Sequence, residues 1–439
     1  MNRFIERRDL LRGTGTAFGG MISGCLSAPK QKTTPYDYQP PPDGTWPQIG
    51  YDARNSRHVK TRGPLTGAEV KWRSGEASIY PPVISDDLYV AEAWTEGAVF
   101  AVGKAQGMRK WTNESLPSIR WAPALHNDQL LIISRNSSNI FQLHSINVEG
   151  GHLEWSRRDG ISASTNYHPP AGPTVKGDTV YIASESGVIA HDAVTGEPQW
   201  EHILRRASPE ALESGQLPNW AQPAVNDTIA ITFDRNDESG KFREVYAIDR
   251  GTGDLTWVAE LNLEENWRLK GYPVIGSGRV FVSAERSDVE LQSSESSWTG
   301  SERLFAIDIK SGNTVWTEKL SGKTISPPAY AEGSLYIGEW YPEQGTSELY
   351  PLDIYNRDKK WRYKTESGAI SSVTVCDEAV YFGLSNKTAA VNKENGELLW
   401  SLNVGEQVGP IIVLGNTAYI QTNPGHNNKS RLISIKEPE

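Results

Sequence analysis

The chain of 439 residues is poor in cysteine, has no excess of basic residues and contains no long apolar run. Its two cysteines, Cys25 and Cys376, are too few for a disulfide framework. The formal net charge of −10 argues against a nucleic-acid partner, because such a partner selects a basic surface. The apolar stretch at residues 13–22 is short and rich in glycine, so it does not have the length of a transmembrane helix.

Motifs of the common catalytic classes are also missing. The sequence has no Cys-x-x-Cys-His for haem attachment, no Walker-type loop, no zinc-ligand spacing and no recognisable Ser-His-Asp pattern. The eight histidines are scattered singly, and a lone histidine is more often structural or on the surface. We therefore predict no catalytic residue and no metal ligand from motifs.

What the chain does contain is one segment of eleven residues, repeated seven times and closing each time on tryptophan. Its glycine supplies a positive φ in a tight turn, and the Asp or Asn two residues after its start can accept hydrogen bonds from the turn amides. The tryptophan brings a large apolar area to the neighbouring repeat. A period of about 40–60 residues indicates a propeller or a repeat array. The copies span residues 101–111, 145–155, 190–200, 247–257, 306–316, 351–361 and 390–400.

Each unit begins with a short apolar strand, in most cases with proline at its start, and eight such starts can be counted. The last unit lacks a tryptophan, whereas a strand at residues 69–73 carries one near the other end of the chain. We predict an all-β fold, an eight-bladed β-propeller of four-stranded antiparallel blades that this N-terminal strand closes. Seven blades is the alternative, if one unit is degenerate. The predicted docking tryptophans are Trp72, Trp111, Trp155, Trp200, Trp257, Trp316, Trp361 and Trp400.

The motif A-x-D-x-x-T-G-x-x-x-W is similar to the tryptophan-docking repeat of pyrroloquinoline-quinone (PQQ) dehydrogenases and of their non-catalytic relatives. The resemblance covers residues 46–435, and the segment at residues 46–56 resembles the start of many PQQ-like repeat proteins. In the catalytic members it implies an Asp base, a Ca²⁺ held by Glu and Asn, a Trp under the cofactor and often a pair of adjacent cysteines. This chain has no adjacent cysteines and is shorter than those enzymes.

The N-terminal residues are predicted to direct export. Arg7 and Arg8, followed by Leu10 and Leu11, resemble a twin-arginine signal, and the sequence Ile-Ser-Gly-Cys ending at Cys25 resembles a lipoprotein lipobox. We expect Cys25 to carry a lipid on the outer face of the cell membrane or in the periplasm. The domain prediction is a signal peptide at 1–25, a flexible Pro-rich tether at 26–45 and the propeller at 46–439.

The two faces of the predicted ring differ. We name the face with the first-to-second and third-to-fourth strand turns the tight-turn face, and the opposite one the long-loop face. The irregular length gathers on the long-loop face, at residues 204–220, 234–241, 285–302, 339–345 and 423–429. Aromatic and acidic residues there could bind a ligand, although they could equally pack the rim or lie solvated. The candidates are Tyr80, Trp121, His168, Trp220 and Glu339.

The expected function is therefore a non-catalytic binding or scaffold module that holds a protein, peptide or glycan at the cell envelope. In this the chain resembles the propeller lipoprotein of the outer-membrane β-barrel assembly machinery, although a twin-arginine signal departs from that family's usual export route. This interpretation needs no cofactor. The alternative is an alcohol or sugar dehydrogenase that depends on PQQ and Ca²⁺.

Overall fold

The computed structural model describes residues 40–75, 79–92, 97–137, 140–158, 171–184, 187–204, 220–234, 243–264, 267–286, 301–422 and 430–439. All of them belong to one compact unit, Asp37–Glu439. The predicted export and lipidation residues Arg7, Arg8 and Cys25 lie outside the described residues. In the described part of the chain, no helix has the length and hydropathy that a membrane crossing would need.

The described residues form eight antiparallel sheets, which confirms the eight-bladed β-propeller. In blades 2 and 6 the inner strand is divided into two short pieces. Blades 1 to 4 consist of β2 (Val83–Ile84), β3 (Leu88–Ala91), β4 (Val99–Val102) and β5 (Arg109–Asn113); β6 (Ser118–Ile119), β7 (Ala124–His126), β8 (Gln129–Arg135), β9 (Phe141–Asn147) and β10 (Leu153–Arg157); β11 (Thr174–Lys176), β12 (Thr179–Ser184), β13 (Gly187–Asp192) and β14 (Pro198–Ile203); and β15 (Ala224–Val225), β16 (Ile229–Phe233), β17 (Glu244–Asp249) and β18 (Leu255–Glu260). Blades 5 to 8 consist of β19 (Trp267–Gly276), β20 (Arg279–Arg286), β21 (Glu302–Asp308) and β22 (Thr314–Leu320); β23 (Lys323–Thr324), β24 (Ala329–Ala331), β25 (Ser334–Tyr341), β26 (Thr346–Asp353) and β27 (Tyr363–Thr365); β28 (Ile370–Val375), β29 (Ala379–Leu384), β30 (Lys387–Asn392) and β31 (Leu398–Asn403); and β32 (Val408–Leu414), β33 (Thr417–Thr422), β34 (Leu432–Lys436) and β1 (Glu69–Arg73).

The burial pattern follows from the stacking of blades. The third strand of a blade is covered on both faces, so β17 is buried throughout except at its two ends. The outer strand β18 alternates instead, with Trp257 and Ala259 buried between exposed neighbours. Apolar residues therefore run continuously along inner strands and alternate along outer ones, as expected for a sheet that is sandwiched near the axis and exposed at the rim.

The ring is closed by β1, as the sequence predicts. This strand pairs antiparallel with β34, and Trp72 lies opposite Ser434. The carboxylate of Glu437 also accepts hydrogen bonds from the backbone amides of Leu65 and Thr66, at 2.6 and 3.0 Å. The two ends of the propeller chain are thus fastened to each other, and β1 gives blade 8 its fourth strand.

Each of the eight docking tryptophans bonds to the next blade around the ring. The indole N–H donates to a backbone carbonyl at 2.6–3.0 Å, and this carbonyl lies in the turn between the third and fourth strands of that blade, except that Trp400 uses Pro64. The remaining acceptors, for Trp72, Trp111, Trp155, Trp200, Trp257, Trp316 and Trp361, are Lys104, Val148, Val194, Arg250, Ile309, Ile354 and Lys393.

The glycine of the repeated turn is required because the indole lies directly on it. At Gly312, for example, φ is +73° and an added Cβ would lie 2.8 Å from the ring of Trp257. The same position in blade 6 is occupied by Arg357, which adopts φ 66°. This is the one described copy of the turn in which a residue with a side chain takes the left-handed conformation.

Residues 46–63, which we name the axial segment, contact the inner strand of every blade in chain order. Seven inner-strand amides donate hydrogen bonds to it, and Gly63 donates in turn to Gly415 of blade 8 at 2.8 Å. The seven pairs are Ile84 with Trp46 O (2.8 Å), Leu125 with Pro47 O (2.6 Å), Val175 with Gln48 Oε1 (2.7 Å), Val225 with Ala53 O (2.6 Å), Ile275 with Arg54 O (3.0 Å), Tyr330 with Ser56 O (2.8 Å) and Val375 with Arg57 O (3.0 Å).

These contacts explain the prolines at the strand starts. The inner strand of a blade has a free edge toward the axis, and its N–H groups need acceptors. In blades 1 to 6 the residue two places before the amide that bonds to the axial segment is proline, which has no N–H to satisfy. These prolines are Pro82, Pro123, Pro173, Pro223, Pro273 and Pro328.

The axial segment can follow the small circle because its backbone bends sharply. Tyr51, Asn55 and Arg57 have φ values of 75°, 59° and 53°, in the left-handed region that residues with a side chain seldom adopt. Asp52 holds the bend: its Oδ1 accepts the amide of Ser56 at 2.9 Å, and its Oδ2 accepts the Ser56 hydroxyl at 2.9 Å. The sequence between Gly50 and Arg57 is therefore a local turn motif.

Candidate functional site

The axial segment makes the two ends of the ring different. The amides that it binds, such as Ile84 and Val375, end the first strands of their blades, immediately before the first-to-second turns. All first-to-second and third-to-fourth turns are described and span nine residues or fewer. The tight-turn face therefore combines short turns with a segment that lies across the axis. On this side the axis is covered by the axial segment.

Four of the five long connections predicted on the long-loop face lie mostly or wholly outside the described residues: they join β14 to β15, β16 to β17, β20 to β21 and β33 to β34. The fifth prediction, an irregular loop at residues 339–345, was wrong. There β25 continues through Tyr341, which pairs with Thr346 at the start of β26. The two strands alternate in sequence, and their pairing therefore continues beyond the apolar residues of the blade core.

Glu339, a candidate ligand-binding residue, lies inside blade 6 and is completely buried. Its Oε2 accepts the amide of Ser321 at 2.9 Å and the hydroxyl of Tyr341 at 3.0 Å, and its Oε1 accepts the hydroxyl of Tyr350. Burial and the nearby carboxylate together raise the pKa of Tyr350. Both carboxylate oxygens accept hydrogen bonds from neighbouring groups of the blade. A role of Glu339 in ligand binding stays a prediction, and it would require these hydrogen bonds to break.

The aromatic candidates are placed at the inner-strand starts of three blades. Trp220 is 2% exposed and packs edge-on against Tyr246, with ring centroids 5.5 Å apart. Trp121 is half-buried and covers Gly172 of blade 3, where an added Cβ would lie 1.7 Å from the indole. Tyr80 is half-buried in blade 1, and burial raises its pKa to about 12.

The structure does not gather the predicted residues into one cluster. Tyr80, Trp121, Trp220 and Glu339 belong to blades 1, 2, 4 and 6, and His168 lies outside the described residues. Their assignment to the long-loop ends of the blades follows from the strand order, but their ligand-binding roles stay predictions.

A charged network between blades 5 and 6 was not predicted. Lys270 Nζ lies 2.8 Å from Glu302 Oε1 and 3.1 Å from Glu285 Oε2, while Glu302 also accepts the amide of Thr324 in blade 6 at 3.0 Å. Burial raises the pKa of Glu302. Burial also acts to raise the pKa of Glu285, but Lys270 and Arg268 outweigh it, and this pKa is lowered. Because its members satisfy one another, the network supports the long-loop edge of the sheet.

A polar group near the axis was also missed. Arg57, in the axial segment, is 8% exposed. Its Nε and Nη2 donate to the hydroxyl of Tyr272 at 2.9 and 2.6 Å, and its Nη1 donates to Ser372 Oγ at 2.9 Å. Tyr272 and Ser372 come three residues before the amides of Ile275 and Val375 that bind the axial segment. The guanidinium therefore extends from the segment toward the long-loop end. Partners more than 200 residues away in sequence leave no local pattern that could reveal this.

The Ca²⁺ and quinone site that the resemblance implies would need a cluster of Asp, Glu and Asn side chains. Within the described ranges, no group of three or more His, Cys, Asp or Glu side chains is arranged to hold a metal ion. The buried oxygens of Glu339 and Glu302 are already hydrogen-bonded within their blades. The Asp, Glu and Asn set of the catalytic members is thus not assembled by this part of the chain.

The protein-family comparison matches the chain over residues 95–300 and 241–411, to the family described as outer membrane protein assembly factor BamB. A relative of that name from Moranella endobia is 22% identical over 209 residues, which are 46% of this chain and 49% of the relative. The chain therefore spans about half the length of this curated relative.

Two solved structures share the fold. Quinohemoprotein alcohol dehydrogenase ADHIIG from Pseudomonas putida HK5 superposes with a TM-score of 0.65 at 12% identity, over 90% of this chain and 82% of the enzyme. BamB from Moraxella catarrhalis superposes with a TM-score of 0.56 at 14% identity, over 84% of this chain and 97% of BamB. These superpositions show a common propeller fold. From the family match over most of the ring, the chain belongs to the family described as outer membrane protein assembly factor BamB.

Proposed function

We propose that this protein is an exported, lipid-anchored and non-catalytic propeller that binds a protein partner at the cell envelope through its long-loop face. The observation that carries the proposal is the difference between the two ends of the ring. The axial segment lies across the tight-turn end and bonds to all eight blades. We therefore assign the partner to the long-loop face.

The distribution of tryptophan supports this face. Of the fifteen tryptophans, eight dock between blades and Trp46 belongs to the axial segment. Of the other six, the structure describes four, which fall by strand order at the long-loop ends of the blades; Trp220 and Trp267 are buried there, and Trp121 and Trp340 are half-buried. Tryptophan is enriched among the residues that dominate protein interfaces. The six are Trp94, Trp121, Trp220, Trp267, Trp298 and Trp340, of which Trp94 and Trp298 lie outside the described residues.

The start of the axial segment lies at the tight-turn face. Trp46 exchanges two backbone hydrogen bonds with Ile84, beside the first-to-second turn of blade 1. The predicted tether at residues 26–45 therefore joins the propeller on the tight-turn face, and extended it would reach about 65 Å. A lipid on Cys25 would hold the propeller within that distance of the membrane. The export residues Arg7 and Arg8 belong to the same proposal.

The relatives support a protein as the partner. The family description and the Moranella endobia relative both name an assembly factor of the outer membrane. We infer the same class of role for this chain, assembly with other envelope proteins without chemistry of its own. A peptide or glycan ligand on the same face would satisfy the geometry as well, but the relatives favour a folded partner.

The test compares two positions in blade 6 at opposite ends of the ring. A photo-cross-linking amino acid replaces either Trp340 on the long-loop end or Tyr355, which is 64% exposed in the turn between β26 and β27. In cells, irradiation should give a defined protein adduct from position 340 and none from position 355. Equal adducts, or an adduct from position 355 alone, would contradict the proposal. Cys25→Ser should release the protein from the membrane fraction.

The quinone alternative has its own measurement. Titration of PQQ with Ca²⁺ into the propeller at residues 40–439, followed by absorbance and calorimetry, should show no stoichiometric binding if the protein is a scaffold. Stoichiometric binding together with reduction of an artificial electron acceptor by an alcohol or sugar would replace the scaffold proposal with a dehydrogenase.

A further inference from the structure

The most unusual charge in the described structure is the guanidinium of Arg57. Its residue is 8% exposed, yet its hydrogen bonds go only to two neutral hydroxyls, those of Tyr272 and Ser372. None of the ion pairs among the described residues includes it. A buried cation without an anion is costly, because hydroxyl groups replace the lost hydration only in part.

Arg57 keeps donors in reserve. A guanidinium has five N–H groups, and the three hydrogen bonds to Tyr272 and Ser372 use three of them. One N–H on each terminal nitrogen is left for another acceptor. Two such donors on a planar cation match the two oxygens of a carboxylate, which is the ligand that arginine binds with the best geometry.

A second buried polar atom lies at the same level of the ring. Gln222 in blade 4 occupies the position of Tyr272 in blade 5 and Ser372 in blade 7, three residues before an amide bound by the axial segment. It is 2% exposed, and its Oε1 has no hydrogen-bond partner in the structure. Its Nε2 donates to Thr174 Oγ1 of blade 3 at 3.3 Å, so the side chain is held on the blade 3 side while Oε1 is left for a donor such as a peptide N–H.

The axial segment decides from which side a ligand would enter. Its backbone, which is bonded to the blades, lies between the Arg57 guanidinium and the tight-turn face. A carboxylate would therefore reach Arg57 along the axis from the long-loop face, the face that the proposed function assigns to the partner.

We propose that Arg57, with Tyr272 and Ser372 orienting it, is a carboxylate-binding site on the propeller axis. Its occupant is an acidic side chain, or the terminal carboxylate, of a peptide segment of the partner. This rests on the proposed function for the identity of the partner, but the site itself does not.

The test uses carbon-13 acetate as the probe and follows its line broadening by the propeller in solution. Wild-type protein should broaden the acetate line. Arg57→Gln should reduce the affinity at least tenfold and Arg57→Lys about fivefold, since lysine keeps the charge but loses the paired donors. Arg62→Gln is the matched control, because Arg62 lies at the end of the same segment with its side chain 51% exposed and pairs with Glu437. Circular dichroism and melting temperatures report folding, and Arg57→Lys carries the test if Arg57→Gln does not fold.

Competition identifies the source of the carboxylate. The capped tripeptide Gly-Glu-Gly should displace acetate, while capped Gly-Gln-Gly should not. Acetate broadening that is the same in wild type and in both Arg57 variants overturns the site. Displacement by PQQ or by free dicarboxylates but not by the Glu peptide overturns the peptide assignment. A cross-link at position 340 without acetate binding removes only this inference, and acetate binding without the cross-link removes only the proposed partner.

Discussion

His144 should make the stability of this protein fall in mild acid. Its residue is 3% exposed in β9, where its Nε2 lies 2.6 Å from Ser134 Oγ and its Nδ1 lies 2.7 Å from Ser156 Oγ. A neutral imidazole satisfies both serines, since one nitrogen donates and the other accepts. Burial lowers the pKa of His144 to about 4, from an ordinary value of 6.5.

The sign follows from proton linkage. Between pH 4 and pH 6.5 the unfolded chain binds a proton at His144 that the folded chain does not bind. The contribution of His144 to stability is therefore complete above pH 6.5 and is lost as the pH falls toward 4. Integrating the shift gives a loss of about 2 kcal/mol at pH 5 relative to pH 7.5.

The assay is urea unfolding of wild type and His144→Gln at pH 5, 6 and 7.5, followed by tryptophan fluorescence at constant ionic strength. The excess stability of wild type over the variant should shrink by about 2 kcal/mol from pH 7.5 to pH 5, because only wild type pays the protonation cost. His152→Gln is the control, since His152 is exposed in the same blade and its difference from wild type should not change. A pH-independent difference for His144→Gln would refute the reasoning.

The remaining predictions concern the ring. Arg357→Gly should raise the free energy of unfolding by about 0.5–1 kcal/mol, because the strain of a left-handed arginine that it removes exceeds the chain entropy that glycine adds to the unfolded state. Gly312→Ala should lower the free energy of unfolding. The reverse order in urea unfolding would contradict this. Trp257→Ala should cost about 3–5 kcal/mol in the same assay, and a loss below about 1 kcal/mol would show that docking is not a core contact. Removal of residues up to Arg73 should give aggregates on size exclusion; a monomer that melts like the full propeller would refute closure by β1.

Local repeats were predictable, whereas contacts between distant segments could be predicted only where the number of copies revealed them. The spacing from Ala247 to Trp257 predicts two strands and a turn because all three parts lie within eleven residues. The missing tryptophan of blade 8 could be found by counting, so Trp72 and the closing strand followed. These inferences depend on neighbours in sequence or on the number of copies.

The axial segment escaped prediction for the opposite reason. Its residues bond to strands that are spread over the whole chain, and no spacing links Arg57 to Tyr272. Glu339 was placed among surface acids because it follows an apolar strand, but the tyrosine hydroxyl two residues further on turns its carboxylate inward. Sequence patterns report which side chains are apolar, and they do not report which polar ones find partners inside the fold.

The axial segment has a consequence for the order in which the protein can fold. It is among the first parts of the propeller to be synthesised, yet its hydrogen-bonding groups are matched to partners from blade 1 through blade 8. Until blade 8 has formed, Gly63 has no Gly415 to bond and β1 has no β34. Early blades can assemble by local pairing, but the segment must wait, and its final placement is a late and highly non-local step.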